Sequence, residues 1–238
     1  MPRFCPIRRP FRDTHLVGRP SGEPIRIVPL TMIAFGLALP ATGQLCAGSA
    51  SFSGAPLRVS GNTEVTSDAH SFGVGLTLGG SATFFGVGLG TTHFDALHGS
   101  SFDVAAGGGY ELRLAQRGGI QLCPVVTVGH RSGPNDPPYG DYSETDVIAL
   151  LRLGDVAMHS RHVRLLPTVG LGFAHEHQNF NTFGVSSAAA SHSFGVITLG
   201  VGAVFGKTVT LLPEALVPIG LANGSATFAL GLAANLGR

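Results

Sequence analysis

Tryptophan is absent from the 238 residues, cysteine occurs three times, and charged residues make up only 12% of the chain. Each shortage excludes something. Soluble domains carry about 25% charged residues, so most of this chain's surface is not built to meet water. The net charge of +1 offers no basic stripe for nucleic acid and no field for a strongly acidic partner. The missing Trp departs from the aromatic belts of many membrane proteins, where Trp is enriched. Cys5, Cys46 and Cys123 show neither CxxC nor metal-ligand spacing. Cys5 falls in a leader, and Cys46 and Cys123 are expected to be unpaired small residues rather than a disulfide. No metal site and no cofactor is expected.

The first 50 residues read as a long basic leader with a signal peptide. Arg3, Arg8, Arg9, Arg12, Arg19 and Arg26 precede an apolar run from Ile27 to Leu39, the order of a positive n-region and a short h-region. The run is shorter than the roughly 20 apolar residues of a membrane-spanning helix. Small residues then offer cleavage after Gly43 or after Ala50. A start near Val17 would give a leader of ordinary length. Residues 51–238 form the second part of the chain, expected to be one β domain.

Glycine is abundant, at 35 residues, and it sits inside segments that alternate with period two. Ala226, Phe228, Leu230, Leu232, Ala234 and Leu236 make one face of the last segment. Ser225, Thr227, Ala229, Gly231, Ala233 and Asn235 make the other. Alternate side chains of a strand point to opposite sides. The same pattern runs through residues 101–114, 120–131 and 164–176, and through 71–78 and 85–90, where Phe, Val and Leu oppose Gly, Ser and Thr. Residues 193–206 follow it less cleanly. Glycine at this density disfavours helix interiors. In a soluble sandwich the face opposite the core would be charged. Here it is mostly Gly, Ala, Ser and Thr with scattered Arg, Asp and Glu, which suits the crowded interior of a membrane barrel.

Connections alternate in length. Short ones fall near 79–82, 115–118, 156–161 and 206–207, longer ones near 94–100, 132–143 and 177–191, and a modest one at 221–224. Short turns on the periplasmic side and longer loops outside are the rule in outer-membrane barrels. By that rule 70–79 runs inward and needs an outward partner, which 56–66 supplies. It carries Leu57, Val59 and Val65 on one face and Arg58, Ser60, Asn62 and Glu64 on the other. The expected fold is therefore all-β, a closed antiparallel transmembrane barrel of about ten strands with both termini in the periplasm. Eight strands is the alternative.

The leader, the segment Phe84-Phe85-Gly86-Val87-Gly88-Leu89-Gly90 and the alternating final strand resemble the small bacterial outer-membrane β-barrel proteins of the porin-family type. The resemblance covers residues 51–238. It implies location in a bacterial outer membrane, contact with outer-membrane lipid, and barrel-assembly machinery as a partner during insertion. Such barrels often end in an aromatic residue, whereas this chain ends Leu236-Gly237-Arg238 with Phe228 the nearest aromatic.

The expected interior charges are Asp103, Glu111, Arg113, Arg131, Asp146, Arg152, Arg164, Glu176 and Glu214. Charges inside a barrel must be paired or wet. They read as a salt-bridge network filling a narrow lumen, or as the wall of a small selective pore. His93, His130 and His175 are expected on the outward face beside the longer loops, at the membrane interface. The run His175-Glu176-His177 lacks a third ligand for zinc. His130-Arg131-Ser132 is faintly similar to the His-x-Ser of outer-membrane lipid A deacylases, but no acid orients it. Gly107-Gly108-Gly109 has no following Lys-Ser/Thr, so it is no phosphate loop. Loop 132–143, with Pro134, Pro137, Pro138 and Gly140 and with Asp136 and Asp141, reads as a stiffened surface loop. The expectation is a structural or surface-interaction barrel and no enzyme. A passive channel is the first alternative, and a lipid-modifying enzyme of the deacylase type the second.

Overall fold

The computed structural model describes residues 56–80, 82–95, 99–114, 120–134, 141–181, 188–206, 208–221 and 224–237. The leader, its two cleavage sites and Pro137, Pro138, Asp136 and Gly140 lie outside them. Ten strands carry the fold: β1 Leu57–Val65, β2 Ala69–Gly79, β3 Thr83–Phe94, β4 Ser100–Tyr110, β5 Gln121–Ser132, β6 Asp141–Gly154, β7 Val163–Asn181, β8 Ala188–Phe205, β9 Val209–Ile219 and β10 Thr227–Leu236. Two-residue pieces, Leu112–Arg113 and Met158–His159, extend the ladders of β5 and β7.

Every strand pairs antiparallel with its neighbour in sequence, and β1 then pairs with β10 from Leu57↔Leu236 to Val65↔Phe228. The sheet closes into a ten-stranded barrel, and the eight-strand alternative is excluded because β1 and β2 are full members. Closure leaves no row of unpaired backbone groups, which is what hydrocarbon demands of a spanning sheet. Pro56 and Gly237 lie at the same end as Gly79, Thr83, Phe205 and Val209. This terminal end is opposite the loop end, where Val65, Ala69, Phe94, Ser100, Ser132, Asp141, Asn181, Ala188, Ile219 and Thr227 begin or end their strands.

The polarity is inside-out. Val59, Phe72, Leu89, Phe102, Leu171, Phe173, Leu199, Phe228 and Leu232 stand exposed on the outside, several more than half exposed. Their chain neighbours Ser60, Ser71, Asp103, Thr198 and Thr227 are buried inside. A soluble protein does not expose a continuous apolar band of this kind, so a β-sandwich with a Gly-rich core is ruled out. The inner wall is not polar throughout. Ile148, Leu150, Ala174, Phe194 and Val196 cluster there, with Leu216 and Leu221 against them. Smaller groups form from Phe84, Cys123 and Val125 and from Leu166 and Val204.

Two expectations need correction. Residues 177–191 are not one loop: β7 continues to Asn181 and β8 begins at Ala188, with His177↔Ser191 and Ala189↔Asn179 in register. The outward side chains there are His177, Asn179 and Ser191, so the apolar signal vanishes while the ladder continues. A spanning strand needs only about 9–11 residues, and the 19 residues of β7 carry the hairpin past the membrane. Likewise β5 runs to Ser132 and β6 starts at Asp141, which trims the 132–143 loop. The second correction concerns Cys123. It is fully buried on the inner face of β5 and disulfide-bonded. Sequence spacing misleads here because pairing depends on distance in the fold.

Prolines interrupt the ladders where they remove a donor. The pairing of β4 with β5 stops after Gly109↔Val125 and resumes in the same register at Leu112↔Leu122, with Pro124 and Cys123 opposite the gap. The glycine run of β4 is a packing device. A Cβ on Gly109 would lie 2.6 Å from the Phe84 ring and 2.7 Å from the Pro124 carbonyl. Gly109→Val is therefore expected to lower the stability of the refolded barrel by about 1–3 kcal/mol through overpacking. The urea midpoint in detergent checks this, and an unchanged midpoint would mean that Phe84 does not fill that space.

Candidate functional site: the polar core of the barrel

The inward side chains near the loop end form one connected set. Arg131 on β5 stands in register with Asp103 on β4 and Glu144 on β6. Because directly opposed residues on one face are neighbours, the guanidinium lies between two carboxylates. Its Nε is 2.8 Å from Asp103 Oδ1 and its Nη1 is 3.6 Å from Glu144 Oε1. Asp103 also accepts from Thr92 Oγ1 at 2.7 Å and from Ser101 Oγ at 3.1 Å. Glu144 accepts from Gln178 Nε2 at 3.2 Å and from the Tyr142 hydroxyl. The Phe94 ring closes the group from one side, 5.7 Å from the Arg131 guanidinium carbon and edge-on to Tyr142. Asn62 donates to Glu64 at 3.0 Å on β1.

A second centre lies deeper. Arg152 Nη2 is 2.9 Å from Glu214 Oε1, joining β6 to β9. Asp146 and Glu176 are direct register partners on β6 and β7, and both face inward. Asp146 leans over Gly129, where a Cβ would collide with its carboxylate.

Of the residues singled out in the sequence, Asp103, Glu111, Arg131, Asp146, Arg152 and Glu176 are buried on the inner wall. Glu214 is nearly so, with 12% of its side chain exposed, and Arg164 is half-buried. Arg113 sits on the short continuation of β4. The fold brings Asp103 to Arg131, Arg152 to Glu214, and Asp146 to Glu176, while Glu111 stands apart near the terminal end. Sequence reasoning missed Glu144, Tyr142 and Gln178. It also left Arg58 and Glu64 out of the interior charges, although it had put them on the polar face of their segment. Glu144 shares its parity with Asp146 and Arg152, and that parity was the signal available once β6 is begun at Asp141 rather than later.

His93, His130 and His175 are exposed on the outside, each against a cross-strand hydroxyl. His93 Nδ1 is 3.4 Å from Ser100 Oγ, His130 Nδ1 3.0 Å from Thr145 Oγ1, and His175 Nδ1 2.8 Å from Ser193 Oγ. His70 and His177 belong to the same loop-end belt. The His70 ring lies 5.1 Å from that of His93, and His177 is 2.8 Å from Ser191 Oγ. The partner of His130 is thus Thr145, not Ser132.

Charge is segregated along the barrel axis. Among the described residues, Glu64, Asp68, Asp95, Asp103, Asp141, Glu144, Asp146 and Glu176 lie in the loop-end half, with Arg131 the one Arg or Lys among them. Arg58, Arg113, Arg152, Arg161 and Arg164 lie in the terminal half, together with Glu111, Asp155 and Glu214.

A closed antiparallel ladder, an apolar exterior and an interior lined by charged and polar side chains together decide the fold class. The chain has the fold of an outer-membrane β-barrel. No family model and no curated protein matches its sequence. Solved structures similar to it include the N-terminal β-barrel domain of Pseudomonas aeruginosa OprF, at 14% identity over 76% of this chain and 96% of that one, with a TM-score of 0.36. The KdgM porin is similar at 7% identity over 76% and 99%, TM-score 0.37. Ail, the attachment invasion locus protein of Yersinia pestis, is similar at 11% identity over 76% and 95%, TM-score 0.39.

Removing one partner of a buried ion group leaves the others unpaired, which costs about 3–5 kcal/mol. Arg131→Met is expected to destabilise the barrel by that amount in urea unfolding. Adding Asp103→Asn and Glu144→Gln to it should restore most of the loss. Equal losses in the single and triple variants would show that the guanidinium matters for its packing on Phe94 and not for its charge.

Proposed function

We propose that this outer-membrane barrel is closed to solutes and has a structural or surface-interaction role, exercised at its loop end. The observation that carries the reading is the burial of the inner charges. Glu176 and Arg152 are each 2% exposed and Asp103 3%, although all three face the middle of the barrel. A water-filled pore would leave such side chains wet. Instead Asp103 is held by Arg131, Thr92 and Ser101 and Arg152 by Glu214. Barrels of eight to ten strands are narrow enough for side chains to fill.

The exposed chemistry supports the surface role. The β7–β8 hairpin stands beyond the length that a membrane span needs, and the loop end carries exposed Asp68, Asp95 and Asp141 with the histidine belt beneath them. Against an enzymatic role, His130 and Ser132 both face outward, and His130 is engaged by Thr145. Nucleophilic catalysis needs the base within hydrogen-bond reach of the nucleophile.

The full chain, expressed with its own leader and recovered from the outer-membrane fraction, is expected to shift mobility on boiling in a detergent gel. Reconstituted in a planar bilayer it should pass no ionic current. Steady single-channel steps would overturn the closed barrel in favour of a passive channel. Lipid hydrolysis lost in Ser132→Ala would overturn it in favour of an enzyme.

A further inference from the structure

We propose that Asp146 and Glu176 hold a hydrated divalent cation between them inside the barrel. The inference rests on the closed lumen proposed above, because in a wet pore water would solvate both groups. The two carboxylates are opposed on neighbouring strands, a position that puts their Cβ atoms about 4.5–5.5 Å apart. Asp146 is 6% exposed and Glu176 2%, yet Asp146 Oδ2 and Glu176 Oε2 have no hydrogen-bond partner. Like charges side by side on a sheet repel, and an ionised carboxylate buried without a partner costs several kcal/mol. Something positive is needed, and His192, the register partner of Glu176, carries no fixed charge. The one guanidinium in this half, Arg131, is taken by Asp103 and Glu144. Five inward carboxylates (Glu64, Asp103, Glu144, Asp146 and Glu176) face that single base.

The surroundings suit an ion that keeps its water. The row of the sheet that contains the pair runs through Ser60, Gly75, Gly88, Ala105 and Gly129 before reaching Asp146 and Glu176, then His192. Five consecutive strands therefore present only small side chains at this row, and the Asp146 carboxylate leans into the space over the nearest of them, Gly129. Among the described residues no group of three His, Cys, Asp or Glu side chains is placed to hold a metal. A fully protein-ligated ion does not fit that arrangement. A hard cation of the magnesium type does, since it is commonly held by one or two carboxylates and retains several waters. Two carboxylates also match a double charge.

The test is isothermal titration of the refolded full barrel in detergent with magnesium chloride, and then calcium chloride, after chelator treatment, alongside the boiling-dependent gel shift. The expected result is one saturable site per chain whose filling raises the temperature of the gel transition. Glu176→Gln should weaken the site and D146N/E176Q should abolish both binding and the thermal shift, while Asp141→Asn, an exposed loop-end control, keeps them. If the double variant does not fold, Glu176→Gln alone decides, since it keeps the volume and one carboxylate. Absence of a site in the wild-type barrel, or undiminished binding in the variants, overturns the inference. So does stability that ignores both ions but depends on pH in the wild type and not in D146N/E176Q, for then the pair shares a proton. A barrel that carries no current and binds no cation sinks this inference alone, whereas ionic current sinks the closed lumen.

Discussion

The seam between β1 and β10 is the constraint on which everything else depends. In hydrocarbon a backbone N–H or C=O without a partner costs several kcal/mol. A sheet of any width must therefore end on itself. Here the first and last strands meet over their full length, Leu57 against Leu236 and Val65 against Phe228. Once that seam is fixed, strand parity becomes absolute. A slip of one residue anywhere would turn an apolar exterior face inward and a charged face toward lipid. The rigour of the alternation on β1, where Arg58, Ser60, Asn62 and Glu64 are all buried, follows from this requirement.

Closure also creates the problem that the interior solves. Ten strands enclose a narrow cylinder, and the chain places charged groups inside it. The solution is local pairing by register. A row across β4, β5 and β6 yields Asp103, Arg131 and Glu144 in order, so the ion group is a property of strand pairing rather than of side-chain reach. Beside it, Phe94 and Tyr142 exclude water, and farther in Ile148, Leu150, Phe194 and Val196 divide the acidic half from Arg152 and Glu214. The inner wall thus has layers, polar toward the loops and apolar at mid-depth.

Much of this was legible in the sequence, because a period of two is visible wherever one face meets lipid. Phe228, Leu230 and Leu232 against Thr227, Ala229 and Gly231 leave little room for another fold, and the count of ten followed from the alternation of short and long connections. What was hidden is what lies outside the bilayer or depends on distant pairing. His177, Asn179 and Ser191 extend a hairpin that has no apolar face left to announce it. The apolar mid-depth layer was hidden too, since Ile148 and Leu150 on a strand flanked by Leu151 and Leu153 look like a continuous apolar run with no preferred side. The disulfide at Cys123 could not be read from spacing at all.

The axial segregation of charge ties the interior to the surface. A barrel whose arginines gather, among three acids, in the terminal half and whose other acids gather toward the loops carries a field along its axis. Arg131 is the exception, and its position explains why it is surrounded so completely. It is the lone base among many acids, so it draws Asp103 and Glu144 to itself and leaves Asp146 and Glu176 with each other. The outward histidines occupy the same depth on the other side of the wall. They place hydrogen-bonding rings, held by Ser100, Thr145 and Ser193, where the acidic interior gives way to lipid headgroups. The two faces of the loop-end wall thus differ in chemistry, with carboxylates inside and imidazole and hydroxyl groups outside.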